Sequence, residues 1–74
     1  MELAGRVRTI EEVADTLEIS FQCCNHEVFD LIASPAIRPP LDTILRVWTQ
    51  AAARPDNPNG PLVEVIVHWE DLSK

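Results

Sequence analysis

The stretch Thr9-Ile-Glu-Glu-Val-Ala-Asp-Thr-Leu-Glu-Ile-Ser-Phe-Gln-Cys23 decides the fold class, because two periodicities meet within it. Thr9 followed three residues later by Glu12 is a capping-box pattern for a helix start. Ile10, Val13, Ala14 and Leu17 follow at helical spacing, with Glu11, Glu12 and Asp15 on the other side. Glu11 and Glu12 also suit the positive end of a helix dipole. The spacing predicts a helix over 10–16. From Leu17 onward the period falls to two, placing Leu17, Ile19, Phe21 and Cys23 on one face of a half-buried strand. A helix running into a strand implies a mixed α+β architecture.

Working outward, Asn25 can cap a second helix through Ala33, with Val28, Phe29, Leu31 and Ile32 buried and Pro35 ending it. Pro39-Pro40 then opens the longest predicted helix, since proline is favoured at the first helical position. Leu41, Ile44, Leu45, Trp48, Ala51 and Ala52 form its apolar stripe, which puts Trp48 in the core, and Arg54-Pro55 closes it. Pro55 to Pro61 is a loop by composition, with a tight turn of positive φ expected at Asn59-Gly60. Leu62-Val-Glu-Val-Ile-Val-His-Trp69 is the strongest strand, apolar on both faces and so central or at an interface. A short strand across Glu2–Arg8 is weakened by Gly5. The expected fold is a small single α+β domain over 1–74. A two- or three-stranded sheet packs against about three helices in the order (β)αβααβ, with 1–5 and 72–74 frayed.

Seventy-four residues make one domain. With 46 % hydrophobic and 24 % charged residues the chain is too apolar to be disordered. A domain of this size buries only about 60 % of its unfolded surface, so a deep water-excluded pocket would consume much of its core. The two glycines, Gly5 and Gly60, build no phosphate loop, and no nucleophile-elbow or paired-histidine zinc motif is present. These features predict a non-enzymatic chain with no cofactor. No apolar run approaches the roughly 18 residues of a membrane-spanning helix, and the opening Met1-Glu2 is unlike a signal peptide. The adjacent Cys23 and Cys24 fit the reduced state of a cytoplasmic protein.

Charge distribution carries the functional expectation. The net charge is −6, and between Thr9 and Ile37 stand six acids and no Lys or Arg. Binding phosphate needs basic side chains, which excludes direct nucleic-acid binding and an anionic membrane surface as partners. Glu11, Glu12, Asp15 and Glu18, joined by Glu27 and Asp30, are the expected partner-binding residues. They would dock on the basic, nucleic-acid-gripping surface of a protein partner. The chain would then act as an inhibitor or adaptor, in the manner of small phage-encoded antagonists. The plainer alternative is a solvated face that confers solubility. An alternative of another class is a homodimeric structural subunit associating through Leu62–Trp69.

Cys23-Cys24-Asn25-His26, with His68, is the one cluster of metal-type ligands, and thiolate with imidazole suits zinc. Adjacent cysteines on a strand point to opposite faces, however, so a metal site at Cys23, Cys24 and His26 is a minor alternative. Cys–His catalysis is disfavoured by the nearby Glu18, Glu27 and Asp30, which raise a thiol pKa. Thr9 to Ser20 resembles the opening of excisionase-type and MerR-type helix-turn-helix domains, over twelve residues of the chain. That resemblance implies a DNA-reading fold as a further minor alternative. It departs where the turn glycine is replaced by Glu18, and where 21–33, the would-be recognition helix, carries Glu27 and Asp30 but no Arg or Lys.

Overall fold

The computed structural model describes residues 1–73 and consists of five strands and one short 3₁₀ turn. The strands are β1 (Glu2–Val13), β2 (Thr16–Cys23), β3 (Val28–Ala33), β4 (Ile44–Arg54) and β5 (Asn57–Asp71), with the 3₁₀ turn at Pro35–Ile37. They close into a barrel in the order β1-β2-β3-β5-β4. Neighbouring strands are antiparallel except β3 and β5, which run parallel at Leu31↔Glu64 and Ile32↔Val65. No α-helix occurs among the described residues, so the α+β class and its three helices are overturned. Among the described residues no helix is long and apolar enough to cross a membrane.

Each predicted helix fails for a physical reason. Over 10–16 the chain pairs with β2 from Thr9↔Ser20 to Val13↔Thr16 and reverses through Ala14 and Asp15. Those two residues have φ of 51° and 61°, the positive values that a two-residue type I′ hairpin turn requires. In the hairpin Ile10 packs against the core and Val13 turns to the other face, so their helical spacing marks no common face, and β-branched Thr9, Ile10 and Val13 favour the strand. In 25–33 the inward side chains are Phe29, Leu31 and Ala33, which face Phe21, Ile19 and Leu17 of β2 at period two. In 44–54 the buried set is Leu45, Val47 and Thr49. Val47, outside the helical stripe, is fully buried, whereas Leu41, inside it, is 51 % exposed.

The strand readings held for Glu2–Arg8, for Leu17–Cys23 and for Leu62–Trp69. The β4–β5 reversal lies at Pro55-Asp56, between the paired Arg54 and Asn57, and not at Asn59-Gly60, where φ is not positive. Pro58 to Pro61 have no registered partner in β4. Fraying was expected at 1–5, but Glu2 to Gly5 pair with β4 and the Met1 ammonium donates to the Thr49 carbonyl at 2.7 Å. At the other end the Leu72 amide donates to the Ile44 carbonyl at 2.8 Å, and Lys74 lies outside the described residues.

Two irregularities phase the core. The β1–β2 register shifts between Val7 and Thr9, and the β4–β5 register between Trp48 and Thr49, which leaves Arg8 and Val67 as the extra residues. The second bulge lets Ile66 and Trp69 both serve the interior of one strand, three positions apart. Barrel closure runs through Gly5, whose Cα is paired with Cys23 on one side and Leu45 on the other.

Candidate protein-binding face

Residues directly opposite in an antiparallel ladder share a face. Glu11 stands opposite Glu18, and Ser20 opposite Asp30, with their side chains outside the barrel. These residues line a surface groove of about 360 Å³, together with Thr9, Ile32, Val63 and Arg54. Two carboxylates directly opposite one another repel, a cost the fold carries without a structural benefit in the core. Arg54 offsets part of it from the end of β4. Its Nη2 donates to Glu18 Oε2 at 3.2 Å and its Nε to Asp56 Oδ1 at 3.1 Å. The Asp56 hydrogen bond, more than Glu18, holds the Arg54 guanidinium further toward its charged form.

The structure therefore brings Glu11, Glu18 and Asp30 together and separates the rest of the predicted set. Glu12 is opposite the inward-facing Leu17 and lies on the other side of the ribbon. Asp15 sits at the β1–β2 tip and lines a second cleft. Glu27 is at the far end of the barrel in the β2–β3 turn, where its amide donates to Asn25 Oδ1 at 3.1 Å. The sequence placed 11, 12, 15 and 18 on one helical face. In a strand 11 and 12 point oppositely, and only a cross-strand partner can reunite 11 with 18.

The second cleft, about 550 Å³, opens between the β1–β2 and β4–β5 tips. Its walls are mostly apolar, including Ile32, Ala33, Ala52, Ala53 and Val65, with Asp15 and Asp56 among its polar groups. Arg54 and the alanines of β4 were not among the predicted site residues.

At the opposite end Arg6, Arg8, Gln22, Cys23, Cys24 and His26 border a groove of about 310 Å³, and Arg8 Nη1 donates to Gln22 Oε1 at 2.9 Å. The outer face of β1–β2 is thus polarised, basic at Arg6 and Arg8 and acidic at Glu11 and Glu18. Cys23 is half-buried and Cys24 exposed, both as free thiols. Burial first, then Glu27 and Cys24, push the Cys23 thiol above its ordinary pKa. A turn fixes this segment: the His26 amide donates to the Cys23 carbonyl at 2.9 Å with His26 at φ 71°. Among the described residues no three His, Cys, Asp or Glu side chains converge as a metal site.

Trp48, expected in the core, stands on the outer side of β4, and it is Trp69 that reaches the core. Trp69 packs against the core and its Nε1 donates to the Ile37 carbonyl at 2.8 Å. Trp48 is half-buried opposite His68, with ring centroids 5.0 Å apart. The chain matches no protein-family model, no curated protein and no solved structure. The helix-turn-helix resemblance of Thr9–Ser20 does not extend to the fold, since those residues form a β-hairpin.

Proposed function

We propose that this chain is a non-enzymatic interaction module, working in the cytoplasm, that binds a basic segment of a protein partner along the outer face of β1, β2 and β3. One observation carries the reading. Glu11, Glu18 and Asp30 line one groove whose single basic side chain, among the described residues, is an Arg54 already engaged by two carboxylates. Lysine or arginine side chains entering the groove would relieve the cross-strand repulsion and gain charge-assisted hydrogen bonds. Five-stranded Greek-key barrels that bind oligonucleotides or oligosaccharides use the face of their second and third strands. By analogy of architecture alone, the same face serves here with the sign of the ligand reversed. A partner surface built to hold nucleic acid fits that sign, which makes the chain an inhibitor or adaptor. The test is titration with an oligolysine peptide at low salt. Salt-sensitive binding should be lost in the variant Glu11→Gln/Glu18→Gln/Asp30→Asn, and unchanged affinity in that variant would sink the proposal.

Self-association through β5 is the second reading, favoured by the exposure of Leu62 (68 %) and Val67 (45 %). Sedimentation equilibrium over a range of concentrations tests it. A mass fixed at 8.3 kDa at all concentrations rules it out.

A further inference from the structure

We infer that the apolar cleft between the two hairpin tips is a socket for one apolar side chain of the basic partner, next in sequence to the lysine or arginine held by Glu18 and Asp30. This inference rests on the acidic-face reading and goes further in naming the ligand as a mixed apolar and cationic peptide.

The cleft and the acidic groove adjoin: Ile32 lines both, and Arg54, held between Glu18 and Asp56, stands at their boundary. The socket stays open because the side chains around it are small: Ala14, Ala33, Ala52 and Ala53 cannot fill the space between the tips. Water over such an apolar wall finds few partners, so an apolar group that displaces it gains affinity. The charged groups at the rim, Asp15 and Asp56, are acidic, and Arg54 is satisfied by its own two carboxylates. That charge pattern selects the occupant. A second copy docking by this same face across a twofold axis would set carboxylate against carboxylate, Asp15 and Asp30 of one copy meeting those of the other. A peptide with a large apolar residue flanked by Lys or Arg meets both surfaces with the right chemistry. Charge then sets the rate and sign of association, and the buried anchor supplies most of the affinity.

Two peptides separate the possibilities in amide-resolved titrations of the full chain at low salt: Lys-Lys-Trp-Lys-Lys and Lys-Lys-Gly-Lys-Lys, both capped. Both should shift the amides of Glu18 and Asp30. Only the tryptophan peptide should shift those of Ala33, Ala52 and Ala53, and it should bind about tenfold tighter. Ala53→Leu, which fills the cleft, should abolish that advantage and leave the glycine peptide's affinity unchanged. Ala52→Leu is the substitute if the Ala53 variant loses its native amide spectrum. Equal affinities for the two peptides, unmoved cleft amides, or a tenfold advantage surviving in the filled variant would each overturn the socket while leaving the acidic face standing. Failure of both peptides to bind would overturn the acidic-face reading and the socket with it. A concentration-dependent dimer abolished by Ala53→Leu would assign the cleft to a second copy, against the proposal.

Discussion

Arg54, the last residue of β4, donates to Glu18 of β2 at 3.2 Å across 36 positions of sequence. The contact ties the β4 end to the strand bearing the acidic groove, and it makes Arg54 an internal competitor for any basic ligand. The Arg54 side chain is 22 % exposed and that of Glu18 43 %, so solvent screens the pair and its removal should leave the unfolding midpoint nearly unchanged. Arg54→Ala should nevertheless tighten oligolysine binding about threefold, the equivalent of one such pair. The gain should vanish at high salt. Thermal unfolding and titration at two ionic strengths check both halves, and weaker binding in the variant would mean that Arg54 organises the groove and does not compete for it.

Gly5 should tolerate no side chain. A β-carbon there would overlap the Gln22 carbonyl oxygen and stand 2.7 Å from the Cys23 Cα, both of them backbone atoms that cannot move aside without opening the ladder. Gly5→Ala is expected to cost about 1–3 kcal/mol or more, as overpacking does. The urea midpoint reads this directly. Gly60 is the contrast, since a β-carbon there meets the Asn57 side chain, which can swing away. Gly60→Ala should leave the midpoint nearly unchanged.

The two tryptophans should differ in weight. Trp69→Phe removes the donor to the Ile37 carbonyl and should cost about 1 kcal/mol, while Trp69→Ala should cost about 3–5 kcal/mol. Trp48 packs at a tilt against the exposed His68, and Trp48→Ala should cost clearly less than Trp69→Ala. Equilibrium unfolding of the three variants ranks them, and a larger loss at Trp48 would contradict the packing described.

Cys24 should react with iodoacetamide ahead of Cys23, because Cys24 is exposed and the Cys23 thiol is held up by burial and by Glu27. Peptide mapping after limited alkylation near pH ~8 reads the order. A raised folded-state pKa means that the unfolded chain releases this proton first as pH rises. The contribution of Cys23 to stability is thus intact below the ordinary thiol pKa and lost as pH rises through the folded value. Stability should fall in that alkaline window, and Cys23→Ala should flatten the fall.

How much was legible follows from which patterns have one meaning. Leu17 to Cys23 alternates and Leu62 to Trp69 is a β-branched run apolar on both faces, and both are strands. Segment 10–16 has helical spacing and no alternation, so its own pattern pointed to a helix, while 39–53 fits helical spacing although Leu45-Arg46-Val47 also alternates. The deciding facts were non-local: β2 opposite Thr9–Val13, and β1 and β5 on either side of β4. The Ala14-Asp15 turn gave little warning, because alanine rarely adopts positive φ. Of the predicted face, Glu11, Glu18 and Asp30 ended in one groove, whereas Glu12, Asp15 and Glu27 went elsewhere once the helix became a hairpin.

The sequence by itself determined the net charge of −6, the concentration of acids between Thr9 and Ile37, and the places of the strands at Leu17–Cys23 and Leu62–Trp69. Those properties are sums over residues or local periods, and no neighbour can change them. Only the tertiary structure decided that the domain is a closed all-β barrel, that Glu11 meets Glu18, and that Arg54 crosses from β4 to β2. Each of these joins residues distant in the chain. A strand satisfies its backbone hydrogen bonds only through a partner strand, so its identity is fixed by what lies beside it as much as by its own side chains.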